Sequence, residues 1–180
     1  MKLKDVVDYD VCNYPIPSMF LIFPNCSFKC DKECGRPVCQ NSALAKAPVK
    51  DIEISSLIER YLKNPLTHAV VCGGLEPFDS HDDLLAFIMV FRCFCDDTIV
   101  IYTGYTEEEI QKDIDFLSKF DNIIVKFGRF IPDSLHKFDA LLGVELASDN
   151  QYAKLISRGD ENECLSTDGG EASNEKRNYS

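Results

Sequence analysis

Short apolar runs alternate with helical patterns along residues 1–158, and this alternation constrains the fold more than any other feature of the chain. Continuous apolar runs, which are typical of buried strands, lie at 18–23, 67–72, 98–104 and 122–130, with a weaker fifth at 140–146. Helical patterns lie between them at 51–64, at 80–95 and from Thr106 onward. Strands that alternate with helices form a parallel sheet with crossover helices. The sequence therefore predicts an α/β fold.

Two of the predicted helices begin with capping patterns. Ser80 precedes one of them, with Asp83 three residues later, and Thr106 precedes the other, with Glu109 three residues later. A hydroxyl at the N-cap and a carboxylate three residues on can each accept a hydrogen bond from the other residue's backbone N–H. Both helices are therefore predicted to start at these positions.

Four unusual loops follow the four stronger predicted strands. The first holds four cysteines, and the others read GGLEPF, YTGY and FGRFI. Ligands of parallel sheets bind beyond the carboxyl ends of the strands, which all meet at one edge. The coincidence of four such loops predicts a functional site at that edge.

The first loop carries Cys26, Cys30, Cys34 and Cys39 in the spacing C-x3-C-x3-C-x4-C. Disulfides are disfavoured, because the chain has 9 cysteines, an odd number, and its start lacks the apolar segment of a signal peptide. The same start predicts a cytoplasmic location, where thiols stay reduced. Zinc sites usually take two separated cysteine pairs, whereas iron–sulfur clusters take thiolates from one short loop. The loop could therefore bind either a zinc ion or an iron–sulfur cluster. A zinc-bound interaction module without catalysis is one alternative.

Charge and hydropathy exclude two kinds of partner. The chain has 30 acidic and 19 basic residues, which argues against a nucleic-acid binder. No apolar run is long enough to predict a membrane-spanning helix. Residues 159–180 are acidic and poor in apolar side chains, which predicts a disordered tail behind a single domain at 1–158.

These motifs resemble the radical S-adenosylmethionine (SAM) enzymes, most closely the activating proteins of anaerobic ribonucleotide reductase. NCSFKC and VCQN are similar to that family's cysteine loop, GGLEP to its GGEP, YTGY to its TGY, and ASDNQ to a late S-x-N-Q. The resemblance covers roughly residues 15–157. Three features depart from it: a longer cysteine loop, Leu75 inserted between Gly74 and Glu76, and Phe127 where an aspartate is common.

The resemblance implies a partial parallel α/β barrel, with the cluster loop after its first strand. It implies a [4Fe–4S] cluster with three cysteine ligands and SAM at the open iron. One electron would then cleave SAM to a 5′-deoxyadenosyl radical, which in the activases takes a hydrogen atom from a glycine of a partner enzyme. The implied partners are a glycyl-radical enzyme and an external electron donor such as flavodoxin or ferredoxin. A radical SAM enzyme that acts on its own small molecule or peptide is the alternative.

The third cysteine ligand has two candidates. Spacing favours Cys34, because C-x3-C-x3-C is one residue longer than the family's C-x3-C-x2-C. Context favours Cys39, because apolar Val38 precedes it and Gln40 and Asn41 follow it as in the family. We therefore expect the ligands Cys26, Cys30 and Cys39, with Cys34 as the alternative.

The residues expected to bind the cofactor lie in the four loops. Gly73 and Gly74 let a ligand approach the backbone and would hold the methionine amino end, while Glu76 could accept from the ammonium group. Val38 would lie near the adenine. The full expected set is Val38, Asn41, Gly73, Gly74, Glu76 and Thr103.

Overall fold

A six-stranded sheet forms the centre of residues 1–156, which are the residues that the computed structural model describes. The strands are β1 Lys2–Leu3, β2 Asp5–Asp10, β3 Ser18–Phe23, β4 Lys50–Asp51, β5 Ala69–Gly74, β6 Thr98–Tyr102, β7 Ile123–Phe127, β8 Lys137–Asp139, β9 Val144–Leu146 and β10 Tyr152–Ile156. The helices are α1 Lys29–Cys34, α2 Ile54–Leu62, α3 His81–Phe91 and α4 Gln111–Leu117, with 3-10 turns at Ser42–Lys46, Pro77–Ser80 and Glu108–Ile110. The predicted tail, 159–180, lies outside the described residues.

The strand order of the sheet is β10-β7-β6-β5-β3-β2. The four central strands, β3, β5, β6 and β7, are parallel neighbours in chain order. The two edge strands, β2 and β10, run antiparallel to their neighbours. Parallel neighbours in chain order are what an incomplete α/β barrel is built from, and the barrel itself stays a prediction.

Both faces of the parallel strands are covered. Alternate residues of the strands point to one face, where they pack against α2, α3 and α4; this core includes Met19, Leu21, Val70, Ile99, Leu57, Phe87 and Leu117. On the other face, Val71, Val100 and Ile124 pack against Leu142 and Leu146 of the β8–β9 hairpin. Burial on both faces explains why these strands read as continuous apolar runs.

The sequence patterns predicted neither of the two edge strands, β2 and β10, and they assigned one further strand to the wrong sheet. Only Val6 is buried in β2, and β10 exposes half of Leu155, so neither edge strand needs a continuous apolar run. The expectation of a fifth sheet strand at 140–146 is wrong. Only Val144–Leu146 is a strand there, and it pairs with β8. Leu142 instead packs against the face of the sheet.

The two predicted capping patterns behave differently. Thr106 N–H donates to Glu109 Oε2 at 3.0 Å and Glu109 N–H donates to Thr106 Oγ1 at 3.4 Å, which confirms the exchange. Ser80 is the N-cap of α3, as predicted, but it makes no exchange with Asp83: Ser80 Oγ accepts from Asn25 Nδ2 at 3.0 Å, and Asp83 accepts from the backbone of β1. Ser80 thus links the loop after β3 to the start of α3.

Among the described residues, no helix is both long and apolar enough to span a membrane.

Candidate metal centre

A cavity of about 460 Å³ opens at the carboxyl edge of the four parallel strands. Each strand or the loop after it contributes to the wall. The lining includes Cys26, Cys30 and Cys39 after β3, Gly73, Gly74 and Glu76 from β5 onward, Thr103 and Gly104 after β6, and Lys126 and Gly128 at β7. The four loops that the sequence predicted at one edge therefore meet around one cavity.

Three of the four loop cysteines line this cavity. Cys26, Cys30 and Cys39 belong to its wall, whereas the wall that the described residues form does not include Cys34. Cys34 is the last residue of α1, one helical turn beyond Cys30, and Gly35 ends the helix in a left-handed conformation. This placement supports Cys39 as the third ligand, which stays a prediction.

One hydrogen bond holds the first end of the cysteine loop to the 3-10 turn Pro77–Ser80, and another holds its second end to β5. Ser27 N–H donates to the Asp79 carboxylate, which also accepts from Tyr105 Oη at 2.5 Å. At the other end, Asn41 Nδ2 donates to the Gly74 carbonyl at 2.8 Å. The polar side chain of Asn41 thus contacts the backbone of β5 from the cavity side.

An ion-pair network holds α1 against the neighbouring loops. Arg129 Nη2 lies 2.5 Å from Glu109 Oε1, and Arg129 Nε lies 2.9 Å from Glu33 Oε1. Lys29 Nζ lies 2.9 Å from the same Glu109 oxygen. The Arg129 guanidinium lowers the pKa of Glu109 to about 2. Since Glu33 and Lys29 flank Cys30, the network joins the helix that carries Cys30 to the loops after β6 and β7.

Burial favours the protonated form of two cavity thiols, Cys26 and Cys39. It raises the pKa of Cys26 to about 11 and also raises the pKa of Cys39. The Phe28 N–H donates to Cys26 Sγ at 3.3 Å and opposes part of this shift. A metal must therefore displace the protons of Cys26 and Cys39 on binding. The positive charge of the metal then stabilises the buried thiolates.

Within residues 1–156, no three His, Cys, Asp or Glu side chains converge closely enough to hold one metal ion. Zinc ligands lie about 2.0–2.3 Å from one centre, whereas each thiolate of an iron–sulfur cluster binds a different iron.

A family model described as a 4Fe-4S single cluster domain matches residues 18–165. The chain belongs to this family. The match begins at the first residue of β3 and includes all four loop cysteines. Searches of curated proteins and of solved structures found no significant match. This is therefore an iron–sulfur protein of the 4Fe–4S class, and the zinc alternative is disfavoured.

Lys126 is a buried cation in the wall of this 4Fe–4S domain, and the sequence analysis missed it. Its side chain is 7 % exposed, and burial lowers its pKa to about 8. Lys126 Nζ donates to the Gly128 carbonyl at 3.0 Å, and the negative charge of Glu76, together with that of Cys30 whenever its thiol is ionised, favours the charged form of the lysine. The available signal was one charged residue in the apolar run IIVKF of β7.

Glu76 connects the loops after β5 and β6. Its Oε1 accepts from Thr103 Oγ1 at 2.7 Å and from Phe78 N–H at 3.2 Å, and its Oε2 accepts from Gly104 N–H at 2.9 Å. Burial raises its pKa to about 7. Three donors of the chain itself thus hold the carboxylate in the cavity wall. Binding of an ammonium group by Glu76 stays a prediction.

The remaining expected residues divide between the wall and its surroundings. Thr103 is buried, lines the cavity and donates to Glu76, and Asn41 lines the cavity beside Gly74. Val38 is half-buried next to Cys39, and its side chain is outside the cavity wall that the described residues form. Its expected contact with an adenine stays a prediction.

The glycine pair is required by the chain's own packing. A Cβ at Gly74, where φ is +85°, would lie 2.5 Å from Ile22 Cγ2 on β3. A Cβ at Gly73 would lie 3.1 Å from the Phe20 ring. The sequence interpretation explained both glycines by the approach of a ligand. The structure adds a second reason, because side chains of the neighbouring strand occupy the space.

We expect Gly74→Ala to destabilise the protein by about 3 kcal/mol or more, because a left-handed conformation and an overpacked contact each cost about 1–3 kcal/mol. Gly35→Ala is the matched control: φ is +64° and nothing lies within 4 Å of the added Cβ. It should cost only about 1 kcal/mol. Urea unfolding of both variants measures the difference, and equal losses would contradict the packing argument.

Proposed function

We propose that this protein is a radical SAM enzyme of the activase type, working in an anaerobic cytoplasm. It would cleave SAM reductively and install a glycyl radical on a partner such as anaerobic ribonucleotide reductase. The observation that carries the proposal is that three cysteines of the loop, and not four, line one cavity. Three thiolates on a four-iron cluster leave one iron free to bind a substrate or cofactor.

The proposed reaction balances as a one-electron reduction followed by a hydrogen transfer. A cluster held by Cys26, Cys30 and Cys39 would supply one electron, which would come from a donor such as flavodoxin or ferredoxin. That electron would break the bond between the sulfonium sulfur and C5′ of bound SAM and so give methionine and a 5′-deoxyadenosyl radical. The radical would take a hydrogen atom from a glycine of the partner, leaving 5′-deoxyadenosine and the glycyl radical.

The cavity wall has the composition that a cofactor of this kind requires. Its volume of about 460 Å³ lies in the range of small-molecule sites. Phe20, Leu44, Tyr102 and Phe130 supply apolar surface that can hold an adenosyl group and exclude water. Polar groups stand at the cysteine side, where the methionine end would bind; they are Asn41, Glu76, Thr103 and Lys126.

The partner is proposed from the geometry of the cavity mouth. The cavity opens at the carboxyl edge of the sheet, and the described part of the chain contributes no separate lid domain. The β8–β9 hairpin and the residues after it form one wall, through Val144, Leu146 and Ala147. A radical formed there needs shielding from water, and a second protein seated on the mouth would provide it.

Anaerobic reconstitution followed by incubation with reductant and SAM tests this function. We expect about four irons and four sulfides per chain, and 5′-deoxyadenosine and methionine as products. A protein that binds the cluster but releases no 5′-deoxyadenosine is an iron–sulfur protein without the proposed activity. Rapid turnover of a free metabolite in the absence of any protein partner would contradict the activase assignment alone.

A further inference from the structure

Asp31 closes the segment 31–36, which makes the cysteine loop longer than that of the family it resembles. Its Oδ1 accepts from the backbone N–H groups of Val38 and Cys39, each at 2.8 Å. The donors lie seven and eight residues further along the chain, so one carboxylate oxygen spans the whole insertion. Asp31 follows Cys30 directly, and the contact therefore brings Cys39 to the part of α1 that carries Cys30.

The segment that Asp31 holds has no regular structure of its own. Residues 37–39 lie between the end of α1 and the 3-10 turn at Ser42–Lys46. Within the described chain, Cys39 also accepts two hydrogen bonds: the Ser42 N–H donates to its carbonyl at 3.3 Å, and the Asn41 backbone N–H donates to its sulfur. The Asn41 side chain bonds to Gly74. Ordering each residue of such a segment costs about 1–2 kcal/mol. A residue that closes the loop before a metal binds lowers that cost.

The charge of Asp31 works against a ligand role for Cys39, whereas its geometry favours one. A carboxylate beside Cys39 opposes the thiolate form of that cysteine, which is the form that binds iron. The contribution of Asp31 must therefore come from its oxygen, which binds two N–H groups. An asparagine has the same acceptor oxygen without the charge, so it separates the two effects.

We propose that Asp31 is a positioning residue that makes Cys39, rather than Cys34, the third cluster ligand. The inference rests on the proposed three-cysteine site. It assigns a purpose to the longer loop: α1 carries Cys34 one helical turn beyond Cys30 and outside the cavity wall, and the Asp31 bonds return the chain so that Cys39 lies in that wall.

Four variants test the proposal: Asp31→Ala, Asp31→Gln, Asp31→Asn and Lys32→Ala. Alanine removes the acceptor, glutamine displaces it by one methylene, and asparagine retains it. Lys32 is an exposed neighbour on α1 and serves as the control. In the metal-free protein, we expect amide hydrogen exchange at Val38 and Cys39 to rise about tenfold in Asp31→Ala and Asp31→Gln, because these two N–H groups lose their acceptor. The last two should stay close to wild type.

The second measurement is the rate at which a chelator removes iron from the reconstituted protein. We expect removal about tenfold faster for Asp31→Ala and Asp31→Gln, and wild-type rates for Asp31→Asn and Lys32→Ala. Equal rates in all variants, despite faster amide exchange, would overturn the positioning role and leave the proposed function intact. So would an Asp31→Asn variant that behaves like Asp31→Ala. Failure of the wild-type protein to bind iron would instead overturn the metal site itself.

Discussion

Alanine at Cys26, Cys30 or Cys39 should abolish both the visible absorption of the reconstituted protein and the release of 5′-deoxyadenosine. These three thiols share the wall of one cavity, and a four-iron cluster held by two thiolates is not expected to persist. Cys34→Ala should retain the absorption and the activity, because Cys34 lies outside that wall. Iron and sulfide per chain, measured after anaerobic reconstitution, give the result directly.

Cys12→Ala is the matched control for a thiol that lines the cavity without belonging to the loop. Cys12 is exposed and lies in the segment between β2 and β3, and its loss should leave the cluster content unchanged.

Loss of the cluster in Cys34→Ala and its retention in Cys39→Ala would contradict the expected set of three ligands. That outcome would make Cys34 the third ligand and make the likeness of VCQN to the family accidental.

Lys126→Met should stabilise the metal-free protein and weaken its redox function. Burial lowers the pKa of Lys126 from 10.5 to about 8, which corresponds to about 3 kcal/mol of stability lost at pH 7. Methionine fills similar space without a charge, and the Gly128 carbonyl still accepts from Gln151 Nε2 at 3.1 Å. We therefore expect a gain of about 3 kcal/mol in the free energy of unfolding at pH 7.

The gain should depend on pH in a defined way. Below pH 8 the lysine is charged in both the folded and the unfolded protein, so its full cost is present and the variant has its full advantage. Between about pH 8 and 10.5 the folded protein releases the proton first, and the wild type regains stability. Above pH 10.5 the two proteins should be equally stable. Urea unfolding across this range measures the difference.

The same substitution should lower the reduction potential of the cluster. A positive charge near Cys30 stabilises the reduced, more negative form, so its removal should shift the potential by about −60 mV or more, a tenfold change in a one-electron equilibrium. Lys32→Met removes an equal charge from an exposed site on α1. It should leave both the free energy of unfolding and the reduction potential close to their wild-type values. A stabilised variant with an unchanged potential would show that Lys126 does not act on the cluster.

The parallel strands could be predicted from sequence because each carries its own signal. The runs at 18–23 and 98–104 are continuously apolar since both faces of the sheet are covered, and the observed β3 and β6 lie within them. The edge strands carry no such signal, because one side of each is open to solvent. The segment DVVDYD is a strand, β2, because it pairs with β3.

The candidate site was predictable as a place, since strands that run parallel deliver their following loops to one edge. The roles of single side chains in the site were harder to predict from the sequence. Glu76 was expected to face a ligand, but its partners Thr103 and Gly104 belong to a loop more than 25 residues away. Gly74 was explained by a ligand, while the nearest obstacle is Ile22 of the neighbouring strand.

The sequence by itself determined the alternation of strands and helices, the loop that carries the thiols and the chemistry those thiols can perform, because periodicity and residue type are local properties. The tertiary structure decided which cysteines share a cavity, why Gly74 must be a glycine, and that a buried lysine stands beside Cys30. Each of those depends on contacts between residues far apart in the chain. Burial and hydrogen bonding across such contacts set the pKa values and the packing, and no local pattern records them.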